Sequence, residues 1–163
     1  GPVIDRLATE GSPTAIDFPR AMMHDGLDVS FSGLKTSVIN YVRKNPSVSN
    51  ADIAASFQEA VVDVLCAKTI KAAQQVKAKG IVLGGGVSAN SSLRAQMTQR
   101  GVEAGFKVAL PSRAMCTDNA AMIGWAGVER FGAGLTDTLD VAARPRWPLD
   151  PDAEKARGAG VKA

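Results

Sequence analysis

Apolar side chains recur every three or four positions over residues 53–76, the clearest periodic stretch in the chain. They are Ile53, Phe57, Val61, Val64, Leu65, Ile70 and Val76. This spacing predicts a helix with one apolar face, which we interpret as core with no ligand role. Residues 49–52 (SNAD) can cap the start of this helix. Lysines, including Lys77 and Lys79, are concentrated in its second half, and Gly80 is predicted to end it.

Short apolar runs alternate with helical spacing in the following part of the chain. Residues 81–83 (IVL) are typical of a strand buried on both faces, and residues 106–110 (FKVAL) of a second strand. Residues 91–101 and 118–131 have the spacing of helices. Helices and strands in this order, with short joints, predict parallel strands and an α/β fold.

The two ends of the chain lack a clear period. Residues 28–33 (DVSFSG) are typical of a short strand that runs into a turn, and residues 34–42 of a short helix. Residues 142–148 favour an extended segment, and residues 150–163 a disordered tail. We therefore predict one domain over residues 1–149.

Composition and charge are those of an ordinary globular domain. The chain has 163 residues, of which 45% are hydrophobic and 21% charged, and its net charge is +3. No apolar run reaches the roughly 18 residues of a membrane helix, so no membrane partner is expected. Cys66 and Cys116 are far apart and suit a reducing cytoplasm, where we place the protein.

Three glycines, Gly84, Gly85 and Gly86, follow the first predicted strand. Without side chains they can adopt positive φ and let a ligand approach the backbone, and amides at the start of the next helix can point at a phosphate. Asn90 can cap that helix or place its amide against a base or ribose. The stretch GGGVSAN is neither a Walker A loop nor a dinucleotide fingerprint. It favours nucleotide binding, with a plain strand–helix turn as the alternative.

Residues 116–123 (CTDNAAMI) place a carboxylate where a helix is predicted to begin. Asp118 is either the helix cap, with Thr117 assisting, or a metal ligand that faces a phosphate loop. Residues 30–36 (SFSGLKT) offer Lys35 as a point charge for an anion, although a solvated lysine fits equally. His24 is the only histidine, so we interpret it as a loop residue and identify no catalytic residue.

Together these motifs resemble the TsaD/Gcp family of tRNA threonylcarbamoyltransferases. The resemblance rests on GPVIDRLA at residues 1–8, SFSGLKT, IVLGGGVSAN and CTDNAAMI, and on RPRWP at residues 144–148. It covers nearly everything up to Leu149, and the set in this order is far more specific than one glycine-rich turn.

The resemblance implies one lobe of the actin-like ATPase fold, which actin, sugar kinases and heat-shock chaperones share, with a mixed sheet and flanking helices. It implies that the glycine turn is the loop on the adenosine side of the site and that it binds an ATP- or AMP-type nucleotide. Asn90 then matches a substrate-binding asparagine, Gly1 and Asp5 match positions that touch the nucleoside, and Asp118 matches a ligand of iron or zinc. The implied partners are tRNA, threonylcarbamoyl-AMP, a TsaB-like paralogue and a TsaE-like ATPase.

The sequence also departs from that family. Its other two metal ligands, histidines in an HxxxH arrangement, lie in the N-terminal half, and this chain has no such pair. We therefore expect the C-terminal portion of an enzyme, with an incomplete divalent-metal site, weak metal binding and little or no transferase activity by itself.

Two other functions fit part of the pattern. A sugar or small-metabolite kinase lobe of the same fold shares the glycine turn, and a non-catalytic nucleotide-binding or interaction module could dock by a helix face. The family's older label of metallopeptidase has little support, because the HExxH motif is absent from the sequence.

Overall fold

The computed structural model describes residues 1–142, and within that range it contains five α-helices and one two-stranded sheet. The helices are α1 (Pro2–Ala8), α2 (Ser32–Lys44), α3 (Asn50–Gln75), α4 (Ser91–Glu103) and α5 (Ala120–Gly132), and the strands are β1 (Gly80–Val82) and β2 (Lys107–Ala109). The chain divides into two compact units, Gly1–Ile123 and the residues from Gly124 onward. The predicted tail and most of the predicted extended segment lie outside the described residues.

The two strands are parallel, which confirms the α/β prediction. Ile81 pairs with Val108, and α4 connects the strands along the chain. Ile81 is buried, but its neighbour Val82 is 78% exposed, so the prediction of a strand buried on both faces is wrong for the described residues. Side chains alternate along a strand, and only the face that carries Ile81 is covered by α3 and α4. The predicted mixed sheet stays a prediction.

No helix within residues 1–142 is long and apolar enough to cross a membrane.

Helix α3 carries much of the core, as predicted, because it belongs to two buried clusters. One cluster joins it to α4 and β1 through Val62, Cys66, Ala73, Ile81, Leu93 and Met97. The other joins it to α2 and the preceding loop through Ile16, Phe18, Leu34 and Ala60. Both thiols, Cys66 and Cys116, are free and buried, and burial raises the pKa of Cys66 to about 11.

The predicted strand at residues 28–33 is wrong, because α2 already begins at Ser32. Leu34, Val38 and Tyr41 recur at helical spacing and pack into the second cluster. Burial of this helical face stabilises the helix more than the short alternation of apolar and polar residues before it favours a strand. The predicted helix at 34–42 is confirmed and is slightly longer than expected.

Helix α3 ends at Gln75, five residues before the predicted stop at Gly80. Lys77 adopts a left-handed conformation with φ 51°. The Ala78 N–H donates to Ala73 O at 2.9 Å and the Lys77 N–H to Gln74 O at 3.2 Å. This is a Schellman ending with lysine where glycine is usual, and it turns the chain early so that Ile81 can enter the core.

Asp63 on α3 ties three segments together. Arg20 from the preceding loop donates Nε and Nη2 to Oδ2 at 3.1 and 2.9 Å, and Arg100 of α4 donates Nη2 to Oδ1 at 2.7 Å. Burial would raise the pKa of this carboxyl group, but the hydrogen bonds and charges of Arg100 and Arg20 outweigh burial and hold the pKa below its ordinary value.

We expect Asp63 to make the stability of the chain sensitive to acid. A carboxyl group whose pKa is lowered by folding stabilises the native state above its unfolded pKa, and this contribution is lost as pH falls below about 4. Asp63→Asn should cost about 1–2 kcal/mol at pH 7 and flatten the loss of stability between pH 5 and pH 3. Urea unfolding across this range measures both, with the exposed Asp28→Asn as control. Parallel curves for Asp63→Asn and the unsubstituted chain would contradict the assignment.

Candidate functional site

A cavity of about 860 Å³ opens between α1, α3 and the turn that follows β1. Its floor is apolar and comes from Phe57, Val61, Val62, Leu65 and Leu93. Polar and charged groups stand around it, from Asp5, Arg6, Gln58, Asn90 and Arg113. An apolar cavity of several hundred Å³ with a few convergent polar groups is typical of a small-molecule site. Part of the α3 stripe therefore lines a cavity as well as packing in the core clusters.

Asp5 places a carboxylate at the N-terminus of α4. Ser91 donates its Oγ hydroxyl to Asp5 Oδ1 at 2.6 Å, and its backbone N–H lies 3.2 Å from both carboxylate oxygens. An anion at the positive end of a helix is favourable. The sequence gives no local sign of this pairing, since 86 positions separate the two residues.

Asn90 performs the predicted capping role. Its Oδ1 accepts from the Leu93 N–H at 2.9 Å, and its Nδ2 donates to Asp5 Oδ1 at 3.1 Å and to Gln58 Oε1 at 2.7 Å. Asp5 and Asn90, both expected to contact the substrate, are thus hydrogen-bonded to each other at the cavity wall. Gly1 lines the same cavity.

The glycine turn differs from its predicted form in two respects. Of its three glycines only Gly85 has a positive φ, of 81°. A 3₁₀ turn over Gly86–Ala89 comes before α4, and two amides in the first turn of α4, those of Ser91 and Leu93, are already bonded to Asp5 and Asn90. These amides are committed within the chain, whereas Gly86 and Val87, which begin the 3₁₀ turn, line the cavity.

The space above the turn is open. A methyl group added at Gly84 or Gly85 would have no described atom within 4 Å, and one added at Gly86 would lie 3.8 Å from Thr117 Cγ2. Arg94 braces the turn from behind, because its Nη1 donates to Ser88 O at 3.1 Å and its Nη2 to Pro111 O at 2.7 Å.

The prediction that Asp118 caps a helix is wrong. Helix α5 begins at Ala120, and its cap is Asn119, whose Oδ1 accepts from the Met122 N–H at 3.0 Å. Both residues are good caps, and the chain uses the one immediately before the helix. Asp118 is exposed and follows Thr117, the residue nearest Gly86.

The described residues do not make up a metal site. Within residues 1–142 no group of three or more His, Cys, Asp or Glu side chains could hold an ion. Asp118 by itself supplies one carboxylate ligand, whereas iron and zinc sites need several protein ligands. The other candidates lie away from the cavity lining: Lys35 is exposed on α2, and His24 is an exposed loop residue, as predicted.

Gln58 is a cavity residue that the sequence interpretation missed. It lies on α3 between Phe57 and Glu59 and accepts from Asn90. A polar side chain directly after an apolar stripe position was the available signal, but helical spacing alone does not separate it from a solvated residue.

Comparison with known proteins gives one consistent result. A family model described as tRNA N6-adenosine threonylcarbamoyltransferase, TsaD, matches residues 1–125. Curated relatives with that printed name include one from Rhodospirillum rubrum, 49% identical over all of this chain and 48% of its own length. Others are from Syntrophotalea carbinolica, 48% identical over 92% of this chain and 45% of its own, and Sphingopyxis alaskensis, 48% identical over all of this chain and 48% of its own. The chain thus spans about half the length of the curated relatives it matches.

Proposed function

This chain belongs to the tRNA N6-adenosine threonylcarbamoyltransferase family, and on that premise we propose that it supplies the nucleotide-binding part of such an enzyme. The observation that carries the proposal is the 3.1 Å hydrogen bond between Asp5 and Asn90 at the wall of an apolar cavity. In the family resemblance described above, these two residues, 85 positions apart, correspond to positions that touch the substrate.

The cavity offers chemistry that suits an adenosine phosphate. Its apolar floor can hold a base, and the spare lone pairs of the Asp5 carboxylate can accept ribose hydroxyl groups. Amides at the start of the 3₁₀ turn and the cation of Arg113 can face a phosphate. We propose that the ligand is threonylcarbamoyl-AMP or the AMP that it releases, and that the chain forms one lobe of an actin-like fold.

The reaction proposed for the whole protein transfers an acyl group to tRNA. The N6 amine of an adenosine next to the anticodon attacks the carbamoyl carbon of threonylcarbamoyl-AMP. A C–N bond forms, the C–O bond of the mixed anhydride breaks, AMP leaves with the electron pair, and the amine loses a proton. In this proposal Asp5 holds the nucleoside and Asn90 holds the Asp5 carboxylate in place, and no residue of this chain is assigned as the proton acceptor.

Other parts of the proposal depend on residues beyond this chain. Asp118 would supply one ligand to an iron or zinc site, with histidines from elsewhere in the protein, and a metal there would polarise the electrophile. TsaB-like and TsaE-like proteins would be the protein partners, in the cytoplasm. The relatives' names favour this transferase over a sugar kinase or a non-catalytic module.

Titration of the chain with AMP, followed by backbone amide NMR, tests the proposal. We expect saturable shifts at the amides of Asp5 and of residues 84–90, because these line or adjoin the cavity. Ribose 5-phosphate, which lacks the base that the apolar floor would hold, is the matched ligand control and should bind more weakly by at least about tenfold. Absence of shifts, or equal affinity for both ligands, would contradict nucleotide binding by this cavity.

A further inference from the structure

The side-chain amide of Asn90 is fully committed within the chain. Its oxygen caps α4 through the Leu93 N–H at 2.9 Å. An asparagine NH₂ group has two hydrogens, and those of Asn90 point at Asp5 and at Gln58, with Nδ2–oxygen distances of 3.1 and 2.7 Å. Asn90 therefore has no free N–H for a ligand, and it shapes the cavity by holding other groups in place.

The Leu93 N–H fixes the orientation of the Asn90 amide, and Gln58 supplies the acceptor for one of its two N–H groups. Because the Leu93 N–H requires an oxygen, the Asn90 nitrogen must face Asp5 and Gln58, and Gln58 must present its own oxygen in return. The Gln58 nitrogen then lies on the other side of its side chain, and within the described residues it has no hydrogen-bond partner. Its neighbour Glu59 bonds elsewhere, since Glu59 Oε2 accepts from Gln96 Nε2 at 2.6 Å.

We propose that Gln58 is a positioning residue of the nucleotide site, a role that rests on the function proposed above. Its Oε1 anchors Asn90 to the long helix α3, and Asn90 in turn holds the Asp5 carboxylate at the cavity wall. The chain of contacts thus connects α3 to α1 by way of the start of α4. Without the Gln58 oxygen, one Asn90 N–H loses its acceptor in a half-buried setting, and the amide is held by the Leu93 N–H and Asp5 alone, which weakens its hold on the Asp5 carboxylate.

Two substitutions separate the oxygen from the shape of the side chain. Gln58→Met keeps the length and removes the acceptor, whereas Gln58→Glu keeps acceptor oxygens at the same distance along the side chain. We expect Gln58→Met to raise the Kd for AMP about tenfold, as the loss of one hydrogen bond in a ligand site does. Gln58→Glu should lose less affinity than Gln58→Met because it keeps the acceptor, although its negative charge near Asp5 opposes an anionic ligand. Gln75→Met, at the exposed end of the same helix, is the matched control and should leave the Kd unchanged.

The Asn90 side-chain NH₂ signals provide a readout that needs no ligand. In the unsubstituted chain both protons should show the low temperature coefficients and slow exchange of bonded amides. In Gln58→Met one of the two should become solvent-like, and in Gln58→Glu both should remain protected. If AMP does not bind the unsubstituted chain, the proposed function fails, and these signals still decide the role of Gln58.

Several results would overturn the positioning role. One is a pair of solvent-like Asn90 protons in the unsubstituted chain, a measurement that does not depend on whether any variant folds. Another is Gln58→Met with unchanged Asn90 signals and an unchanged Kd. Equal losses of affinity in Gln58→Met and Gln58→Glu, with Asn90 still protected in both, would also overturn it, because the oxygen would then not matter.

Discussion

Asp5→Ala is expected to abolish measurable AMP binding and to release α1 from the start of α4. The substitution leaves three donors without their acceptor: the Asn90 Nδ2, the Ser91 N–H and the Ser91 hydroxyl. Unsatisfied donors in half-buried positions cost about 1–3 kcal/mol each, reduced by access to water. We expect the free energy of unfolding to fall by about 2–4 kcal/mol and the Kd for AMP to rise at least about a hundredfold.

Helix α1 should respond most strongly because, among the described residues, Asp5 makes all of its side-chain hydrogen bonds to the start of α4, although α1 also packs along α3. It has seven residues, none of them buried, and a helix this short is not stable by itself in water. Hydrogen exchange of the α1 amides should therefore accelerate much more than that of α3 or α4. Hydrogen exchange, urea unfolding and AMP titration of one sample measure the release of α1, the loss of stability and the loss of AMP affinity together.

Two further variants sharpen the test of Asp5. Asp28→Ala removes an exposed carboxylate of the same type and should change neither stability nor affinity. Asp5→Asn keeps one acceptor oxygen but turns an NH₂ group toward donors, so an intermediate loss is expected. Retention of full affinity in Asp5→Ala would show that the nucleotide binds elsewhere.

The elements that the sequence predicted well are those with a strong local period. These elements are the α3 stripe, the part of α4 with Leu93 and Met97, and the two short apolar strands. Apolar residues from each of them pack in one cluster, so the pattern of the sequence corresponds to burial in the structure. Their ends were predicted less well, because they depend on caps. Lys77, at the end of α3, adopts a left-handed conformation, which the residue type lysine does not predict. Helix α5 is capped by Asn119 and not by Asp118, although both residue types are good caps.

The candidate site could be predicted in its residues but not in its arrangement. The glycine turn and Asn90 were identified from their residue pattern and Asp5 by resemblance, whereas the hydrogen bonds among Asp5, Gln58 and Asn90 join three distant segments. Pairing of this kind is set by packing and leaves no periodic trace in one sequence. For the same reason the α3 stripe did not reveal that some of its core residues, such as Val62 and Leu65, also line a cavity.

Phe18 shows how a stretch without a period can still carry the core. It lies in the irregular segment between α1 and α2 and is only 2% exposed. Its ring meets that of Tyr41 edge to face, with centroids 5.7 Å apart, in the cluster that also contains Ile16, Leu34 and Ala60. The segment thus contributes a large buried side chain to the core although its backbone is irregular.

Phe18→Ala is accordingly expected to lower the free energy of unfolding by about 3–5 kcal/mol, through lost burial and a cavity that the rigid helices cannot close. Domains of this size are stable by about 5–15 kcal/mol, so urea unfolding should begin at much lower denaturant and part of the population should be unfolded at 37 °C. Phe131→Ala, at a ring that is 76% exposed, is the matched control and should stay within about 0.5 kcal/mol. Phe18→Leu should fall between the two, since it keeps most of the buried volume and loses the contact with Tyr41. If Phe18→Ala unfolded at the same urea concentration as Phe131→Ala, the irregular segment would not be part of the core, and the stability of this unit would have to come from α3, α4 and the sheet alone.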